Sequence, residues 1–565
     1  MSRGAAAPVE DKRPGGTAWA PSNRFLARAA LLTAALTAAG ALLGLLRDQL
    51  LAHTFGAGPD TDAFLVAWTV PEFASTLLIE DAMALVLVPA FSRALALRAE
   101  AAAGPDPVLG LVRSTLPRTA AVTAAAAALV AAAAPLLLPL LAPGLPEQRL
   151  AVDCTRLTAT CVLSFALAGY FSAALRAHGR YLAPAAIYVA YNTGIITAVV
   201  LLGPAWGVRA AAAGVAAGGA LMALVQAPSL LRRLCRRHAS RTAGPAAPTA
   251  ATGVVLALVA PVVVFAVGRQ SQVLVERFLA APLPGGAISH LNYAQKVAQL
   301  PMVLSLMLCT VSFPVIARAV AAGDRDAARR RAERDLLLAG VVVLVGAATV
   351  IAAAPQIVGL LFQRGAFDAA DTEATASVMR VYALGLLGHA LVSALGRCYF
   401  SASRPLWFPA AAMGAGVAAN AALGALWVGP WGSAGIALAN AAGITLTAAL
   451  LLAGTGRQQV PLSARTIASG LARLTAAAAA ATAAGRLCAA QAAHPLLGTA
   501  LAAAAVTAVF VLAAHALRAP LVPHLTRVAL RTALPRRPLP RKPRHAPTHP
   551  APVDRDVPLR RHRQG

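Results

Sequence analysis

Apolar stretches long enough to cross a bilayer recur along nearly the whole chain, divided by short breaks rich in Pro, Gly and Arg. A crossing needs roughly 20 residues of helix, and in lipid every backbone N–H and C=O must find its partner within the protein. Few folds meet both conditions. Fourteen spans fit, near 25–53, 61–95, 115–142, 150–176, 182–203, 208–231, 250–279, 286–318, 336–362, 372–400, 406–428, 432–455, 464–490 and 495–518. Several are alanine-rich, as in AAVTAAAAALVAAAA (120–134), and small side chains let helices approach closely where lipid offers no hydrophobic drive. Only 13% of the 565 residues are charged and mean hydropathy is +0.67, whereas a soluble domain carries about 25% charged residues. The chain reads as an all-α polytopic membrane protein.

A formal net charge of +27 suggests nucleic acid until the charges are located. They lie in loops and at the termini, so juxtamembrane arginine facing anionic lipid is the simpler reading and no nucleic acid partner is expected. Loops after even-numbered spans carry Arg93, Arg98, Arg113, Arg176, Arg180, RRLCRRHASR (232–241), RRRAER (329–334) and Arg404. Loops after odd-numbered spans, such as TFGAGPDT, APLPGGA and GPWG, hold no Lys or Arg. The positive-inside rule then places both termini in the cytoplasm. The expected organisation is a disordered cytoplasmic N-terminus at 1–24, an N-terminal lobe of six helices at 25–231 and a basic cytoplasmic linker at 232–249. A C-terminal lobe of six helices at 250–457, a helix pair at 458–518 and a basic, Pro-rich disordered cytoplasmic tail at 519–565 complete it. The six cysteines show no CxxC and no metal-ligand spacing, so no metal site is expected.

The lobes repeat. LRAHGRYLAPAAIYVAYNTGII (175–196) is echoed by LGRCYFSASRPLWFPAAAMGAGVAANAALG (395–424), pairing Arg176 with Arg397 and Asn192 with Asn420. Six spans separate the copies, and an even number of crossings preserves topology, so these are parallel repeats about an axis along the membrane normal. Two such lobes enclose a site that faces each side in turn, the architecture of a transporter.

Against this apolar background, GLLRDQLLAHTFGAGPDTDAFLVAW (44–68) keeps Arg47, Asp48 and Asp62. Ionisable groups inside spans face a bundle interior or a watery cavity and are read as functional by default. The stretch RDQLLAHTFGAGPDTDAFLVAW resembles the second-helix region of the MurJ (MviN) family, which is similar to the multidrug/oligosaccharidyl-lipid/polysaccharide exporters. QVLVERFLAAPLPGGAISHLNYAQKVAQLPMVLSLMLCTVSFPVIARA (272–319), LLFQRGAFDAADT (360–372) and GPWGSAGIALANA (429–441) extend the resemblance over roughly 25–455. It implies fourteen helices around a central cavity and a flippase for lipid II, the undecaprenyl-linked peptidoglycan precursor, in the bacterial cytoplasmic membrane. Its implied partners are lipid II or a similar polyprenyl-pyrophosphate glycolipid, membrane lipids and cell-wall synthesis proteins. By the same resemblance Arg47 falls on a cavity arginine, Asp62 on the TDAF aspartate, Glu80 on a glutamate of AEGAF (here IEDAM) and Lys296 on the arginine of YADR (here YAQK). Departures stand at Ala41, Ser75 and Thr76, where the family carries arginine, and at Glu72, where its PN motif has become PE.

A polyprenyl pyrophosphate needs cations in an aqueous cleft while its tail stays in lipid, and arginine's planar fork pairs two phosphate oxygens at once. Arg47, Arg269, Arg277 and Lys296 are the candidate substrate-binding cations. Glu276 beside Arg277 makes a structural ion pair between them an equal alternative. Asp62, Glu72, Glu80 and Asp81 are candidates for gating or ion coupling, and Asp48 for pairing or an interfacial place. Asn192 and Asn420 are expected to hydrogen-bond between helices, and Pro71 and Pro301 to kink theirs. No cofactor is expected: the chain lacks a GxxxxGK[ST] motif, so membrane potential or a cation gradient drives transport. A glycan polymerase is disfavoured because every expected outer loop is short and nearly free of Asp, Glu and His. Flipping another polyprenyl-pyrophosphate glycan, or a non-transporting scaffold role, are the alternatives.

Overall fold

The computed structural model describes residues 23–100, 106–235, 252–305, 324–400, 406–455 and 462–519. Residues 1–22 and 520–565, expected as cytoplasmic arms, and nearly all of the 232–249 linker lie outside them. Among the described residues the secondary structure is helical, with no strand. The N-terminal half comprises α1 (Asn23–Phe55), α2 (Pro59–Ala67), α3 (Thr69–Ala74), a π-helical segment (Ser75–Asp81), α4 (Ala82–Glu100), α5 (Pro107–Leu141), α6 (Gln148–Ala159), α7 (Cys161–Ala177), α8 (Leu182–Ala185), α9 (Ile187–Trp206) and α10 (Arg209–Cys235). The C-terminal half comprises α11 (Thr252–Ala280), α12 (Ala287–Ala298), α13 (Arg325–Ala352), α14 (Ala354–Phe362), α15 (Ala369–Leu384), α16 (Leu386–Phe400) and α17 (Phe408–Gly454). Then α18 (Ala464–Ala490) and α19 (Pro495–Ala516) pack on each other and on α13.

Among the described residues ten helices, or eleven with the bent pair α15–α16 counted as one span, are long and apolar enough to cross a membrane. Fourteen crossings are not reached by this measure. The eighth expected span, 286–318, lies partly outside the described residues, and its described part breaks at Gln299, just before Pro301. The 47-residue α17 runs through Gly432, whose φ of 53° is not helical, and so joins two expected spans. Its arms pack closely, with Gly416 against the Gly443 backbone.

The second expected span shows how sequence breaks a helix and neighbours repair it. Pro71 has no N–H to offer the carbonyl of Ala67 four residues back, and the helix interrupts at Trp68. Thr158, fully buried on α6, donates its hydroxyl to that carbonyl at 3.1 Å, sharing it with the Thr155 carbonyl at 3.2 Å. An orphaned buried acceptor costs about 1–3 kcal/mol. Thr158→Val, which keeps the shape and removes the donor, is therefore expected to lower thermal stability in detergent by that order, while Thr158→Ser retains most of it. Equal melting temperatures for Val and wild type would contradict the repair.

A single buried core continues through both halves, from Leu51, Phe64 and Trp68 to Tyr293, Phe362 and Phe367. Tyr293 packs against Phe362, tilted at 5.0 Å between ring centroids, and edge-on against Phe367 at 5.8 Å. The last helix pair is tied by Glu333, whose Oε1 accepts from the Ser463 backbone N–H at 2.7 Å at the start of α18 and from Arg329 Nε at 3.0 Å.

Candidate functional site

The charges that stand out in the sequence converge where the two halves meet. Arg47 and Asp48 come from α1, about two turns before its end, and both are buried. Asp48 Oδ1 accepts from Arg47 Nε at 3.0 Å and Nη2 at 2.7 Å, and from Lys296 Nζ on α12 at 3.4 Å. The other arm of the guanidinium, Nη1, donates to Asn192 Oδ1 at 3.0 Å, while Asn192 Nδ2 donates to the Gly40 carbonyl at 3.0 Å. Asn192 therefore fixes α9 to α1, as expected, and orients Arg47 as well. Trp68 lies beside both cations, its ring centroid 4.7 Å from Arg47 Cζ and 5.4 Å from Lys296 Nζ. A π face attracts cations without neutralising them. Two cations sharing one carboxylate leave an excess of positive charge, next to a cavity of about 10 Å³ lined by Asp48, Trp68, Asn292 and Lys296, room for one water.

A second pair spans the halves. Arg277 on α11 donates Nη2 to Glu72 Oε2 on α3 at 2.9 Å and Nη1 to the Thr69 hydroxyl. Gln270 Nε2 also reaches the Glu72 carbonyl, at 3.4 Å. The alternative of a Glu276–Arg277 ion pair is not what forms. Neighbours in a helix point about 100° apart, and Glu276 instead accepts from Asn440 Nδ2 on α17 at 2.5 Å. Arg277, Glu276, Gln295 and Asn292 line a second cavity of about 10 Å³. Asn292 thus walls both cavities, and its buried Oδ1 has no hydrogen-bond partner among the described residues.

Arg269 does not join this set. It sits two turns back along α11, about 12 Å by helix rise, half-buried and without an ion pair among the described residues. Asn420 corrects another expectation. It is 0% exposed between the arms of α17, against Gly443, and neither of its amide atoms has a hydrogen-bond partner among the described residues. The arms approach too closely there for a partner side chain to stand opposite. The backbone of Glu80 and Asp81 ends the π-helical segment, and their side chains lie outside the described residues.

Asp62 closes one face of this centre. Its Oδ2 accepts from the Gly286 N–H at 2.7 Å, and its Oδ1 accepts from the Ser289 N–H at 2.7 Å and hydroxyl at 2.5 Å. A carboxylate from α2 thus caps the first turn of α12, where orphan donors and the helix dipole favour an anion. The surrounding loops are sealed by backbone contact. Ala366 N–H donates to the His53 carbonyl at 2.9 Å. Gly56, at φ +66°, leaves a Cβ only 2.6 Å from the Ala366 carbonyl, and Gly286, at φ +96°, only 2.8 Å from that of Ala57. Only glycine combines that backbone with that approach. His290 adds a bond to Asp371 at 3.2 Å on the same face.

Sequence reasoning passed over Trp68, Thr69, Ser289, Asn292 and Asn440 as partners. All are uncharged and ordinary in an apolar helix. The one available signal was proximity, since Trp68 and Thr69 lie close before Pro71, and Ser289 and Asn292 lie on the same short helix as Lys296, which stands in its last turn.

Comparison with known proteins places this arrangement. A family model described as lipid II flippase MurJ matches residues 51–505. The lipid II flippase MurJ of Burkholderia cenocepacia is 26% identical over 390 residues, covering 66% of this chain and 73% of that protein. The probable lipid II flippase MurJ of Rhizobium meliloti is 28% identical over 440 residues, covering 75% and 80%. Among solved structures, a lipid II flippase MurJ in an inward closed conformation superposes with a TM-score of 0.67 at 18% identity, over 86% of this chain and 98% of that one. An inward-facing multidrug resistance MATE family transporter gives 0.61 at 14% identity, over 76% and 98%. These structural likenesses speak to the fold alone, a many-helix membrane architecture, and the family match covers most of the chain. The chain belongs to the lipid II flippase MurJ family.

Proposed function

We propose that this protein moves lipid II from the inner to the outer leaflet of the bacterial cytoplasmic membrane by alternating access between two six-helix lobes. The observation that carries this reading is the pair Arg47 and Lys296, held on one carboxylate and one indole where the halves meet. A pyrophosphate is the kind of group such a centre attracts, and the planar guanidinium pairs two of its oxygens at once. Arg277 is the third cation, on the neighbouring cavity across Asn292, and Asp62 is the latch of the outer side. Arg269 stands apart as a cation on the approach along α11.

Flipping of another polyprenyl-pyrophosphate glycan is the second reading, favoured by the neutral residues Ala41, Ser75 and Thr76. Complementation separates the two. A bacterium depleted of its resident lipid II flippase and expressing this protein at a verified membrane level is expected to grow. Failure to rescue despite insertion, with loss of another surface glycan on deletion in the native host, would favour the second reading. Loss of neither would leave a non-transporting scaffold.

In this reading the loops joined by Asp62 face outward and both termini, the linker and the tail face the cytoplasm, as the arginine distribution requires. A cysteine placed in 282–287 is expected to react with a membrane-impermeant reagent added outside, and one in 232–241 only after permeabilisation. The reverse pattern would invert the topology and with it the direction of transport.

A further inference from the structure

Glu72 sits where an empty transporter has least use for a carboxylate, opposite one of the few cations of its centre. Its pair with Arg277 joins α3 to α11, one element from each half, across 205 residues of sequence. The guanidinium side is sunk, at 6% side-chain exposure, while the carboxylate side is 27% exposed. Arg277 is further steadied by the Thr69 hydroxyl and lines the second cavity, which shares its Asn292 wall with the cavity lined by Lys296 and Asp48. The more exposed member of the pair is therefore the anion, and the sunk member is the cation. An anion arriving from the centre meets a guanidinium already oriented, with a competitor that can withdraw toward solvent. A neutral headgroup offers nothing to replace that competitor and leaves the halves tied.

Resting on the flippase reading above, we infer that Glu72 is a built-in stand-in for the cargo's phosphate. It holds Arg277 across the interface in the empty, closed protein and yields it to a phosphate oxygen of an anionic polyprenyl headgroup. Engagement of cargo and release of the α3–α11 tie are then one event, and Glu72 sets the threshold of negative charge that cargo must carry. No bond is made or broken covalently; one carboxylate–guanidinium pair exchanges for a phosphate–guanidinium pair. Selectivity arises because the competitor penalises every headgroup that cannot replace it.

The test is binding of undecaprenyl pyrophosphate and of uncharged undecaprenol to the full-length protein in nanodiscs of neutral lipid. Glu72→Gln is expected to bind the pyrophosphate about tenfold tighter than wild type and undecaprenol no differently, with the gain lost in the Glu72→Gln/Arg277→Gln double variant. Equal or weaker pyrophosphate binding by a correctly inserted Glu72→Gln would make the pair a plain structural tie and overturn the inference. Should that variant fail to insert, the cross-linking yield of His53→Cys/Ala366→Cys carries the test. It is expected to fall several-fold with undecaprenyl pyrophosphate and to stay unchanged with undecaprenol, and equal yields with both would overturn it. Neither probe carries the sugars of lipid II, so these outcomes stand apart from the complementation result: rescue with no Glu72 effect sinks only the inference, and a Glu72 effect without rescue sinks only the lipid II cargo.

Discussion

Arg47→Leu is expected to abolish rescue of a lipid II flippase-depleted bacterium and to reduce transport in vesicles at least about a hundredfold. The side chain serves three partners at once: two of its nitrogens meet Asp48, a third meets Asn192, and its face meets Trp68. Removing it leaves Asp48 with Lys296 alone, at 3.4 Å, and leaves Asn192 Oδ1 without a donor. Breaking a buried pair from one side costs on the order of 3–5 kcal/mol, and cargo loses its bidentate partner as well. Arg47→Lys separates the effects. It restores charge without the fork, so stability should recover further than transport does. A Lys variant with full transport would show that charge alone matters, and a Leu variant with full transport would remove Arg47 from the site.

Asp62→Ala is expected to open the face of the centre that it caps. Three donors from α12 lose their acceptor, two of them backbone N–H groups at the first turn of a helix. Truncating one partner of a buried charged hydrogen-bond set costs about 2–5 kcal/mol, enough to shift a closed state out of dominance. The measurement is the His53→Cys/Ala366→Cys cross-link, placed where the two backbones already touch at 2.9 Å. Its yield should fall several-fold in Asp62→Ala, and transport should fail because this face no longer closes. Asp62→Asn gives an intermediate result, since the amide keeps one acceptor and sets its NH₂ against an N–H donor. Unchanged cross-linking would show that the glycine contacts at Gly56 and Gly286 hold this face by themselves.

What could be read from the sequence was whatever is intrinsic to one stretch of chain. Spans announce themselves because twenty apolar residues in a row have few other fates. Pro71 and Pro301 mark breaks because a missing N–H is a local fact, though the rescue of the Ala67 carbonyl by Thr158 is not. Arg47, Asp62 and Lys296 stand out because charge in an apolar run is conspicuous. Partners were another matter. That Glu72 would meet Arg277 rather than serve alone, and that Glu276 would turn to Asn440, depends on which faces of α11 look at α3 and α17, and helical neighbours 100° apart choose different elements. Arg269 shares an approximate face with Arg277 and still stands two turns away, a distance periodicity does not weigh. Asn192 and Asn420 occupy matching places in the repeat, yet one orients Arg47 and the other has no hydrogen-bond partner among the described residues. A repeat preserves backbone path more faithfully than it preserves side-chain duty.

The most direct test of the account is translocation itself, measured with purified protein in sealed liposomes containing labelled lipid II and no nucleotide. Wild type is expected to carry lipid II between leaflets, faster under a potential negative on the cytoplasmic side, since 100 mV favours outward passage of an anion by about 2.3 kcal/mol per charge. Arg47→Leu, inserted to the same level, is expected to carry none. Absence of transfer by inserted wild-type protein, or transfer that requires ATP and ignores potential and ion gradients, would contradict it.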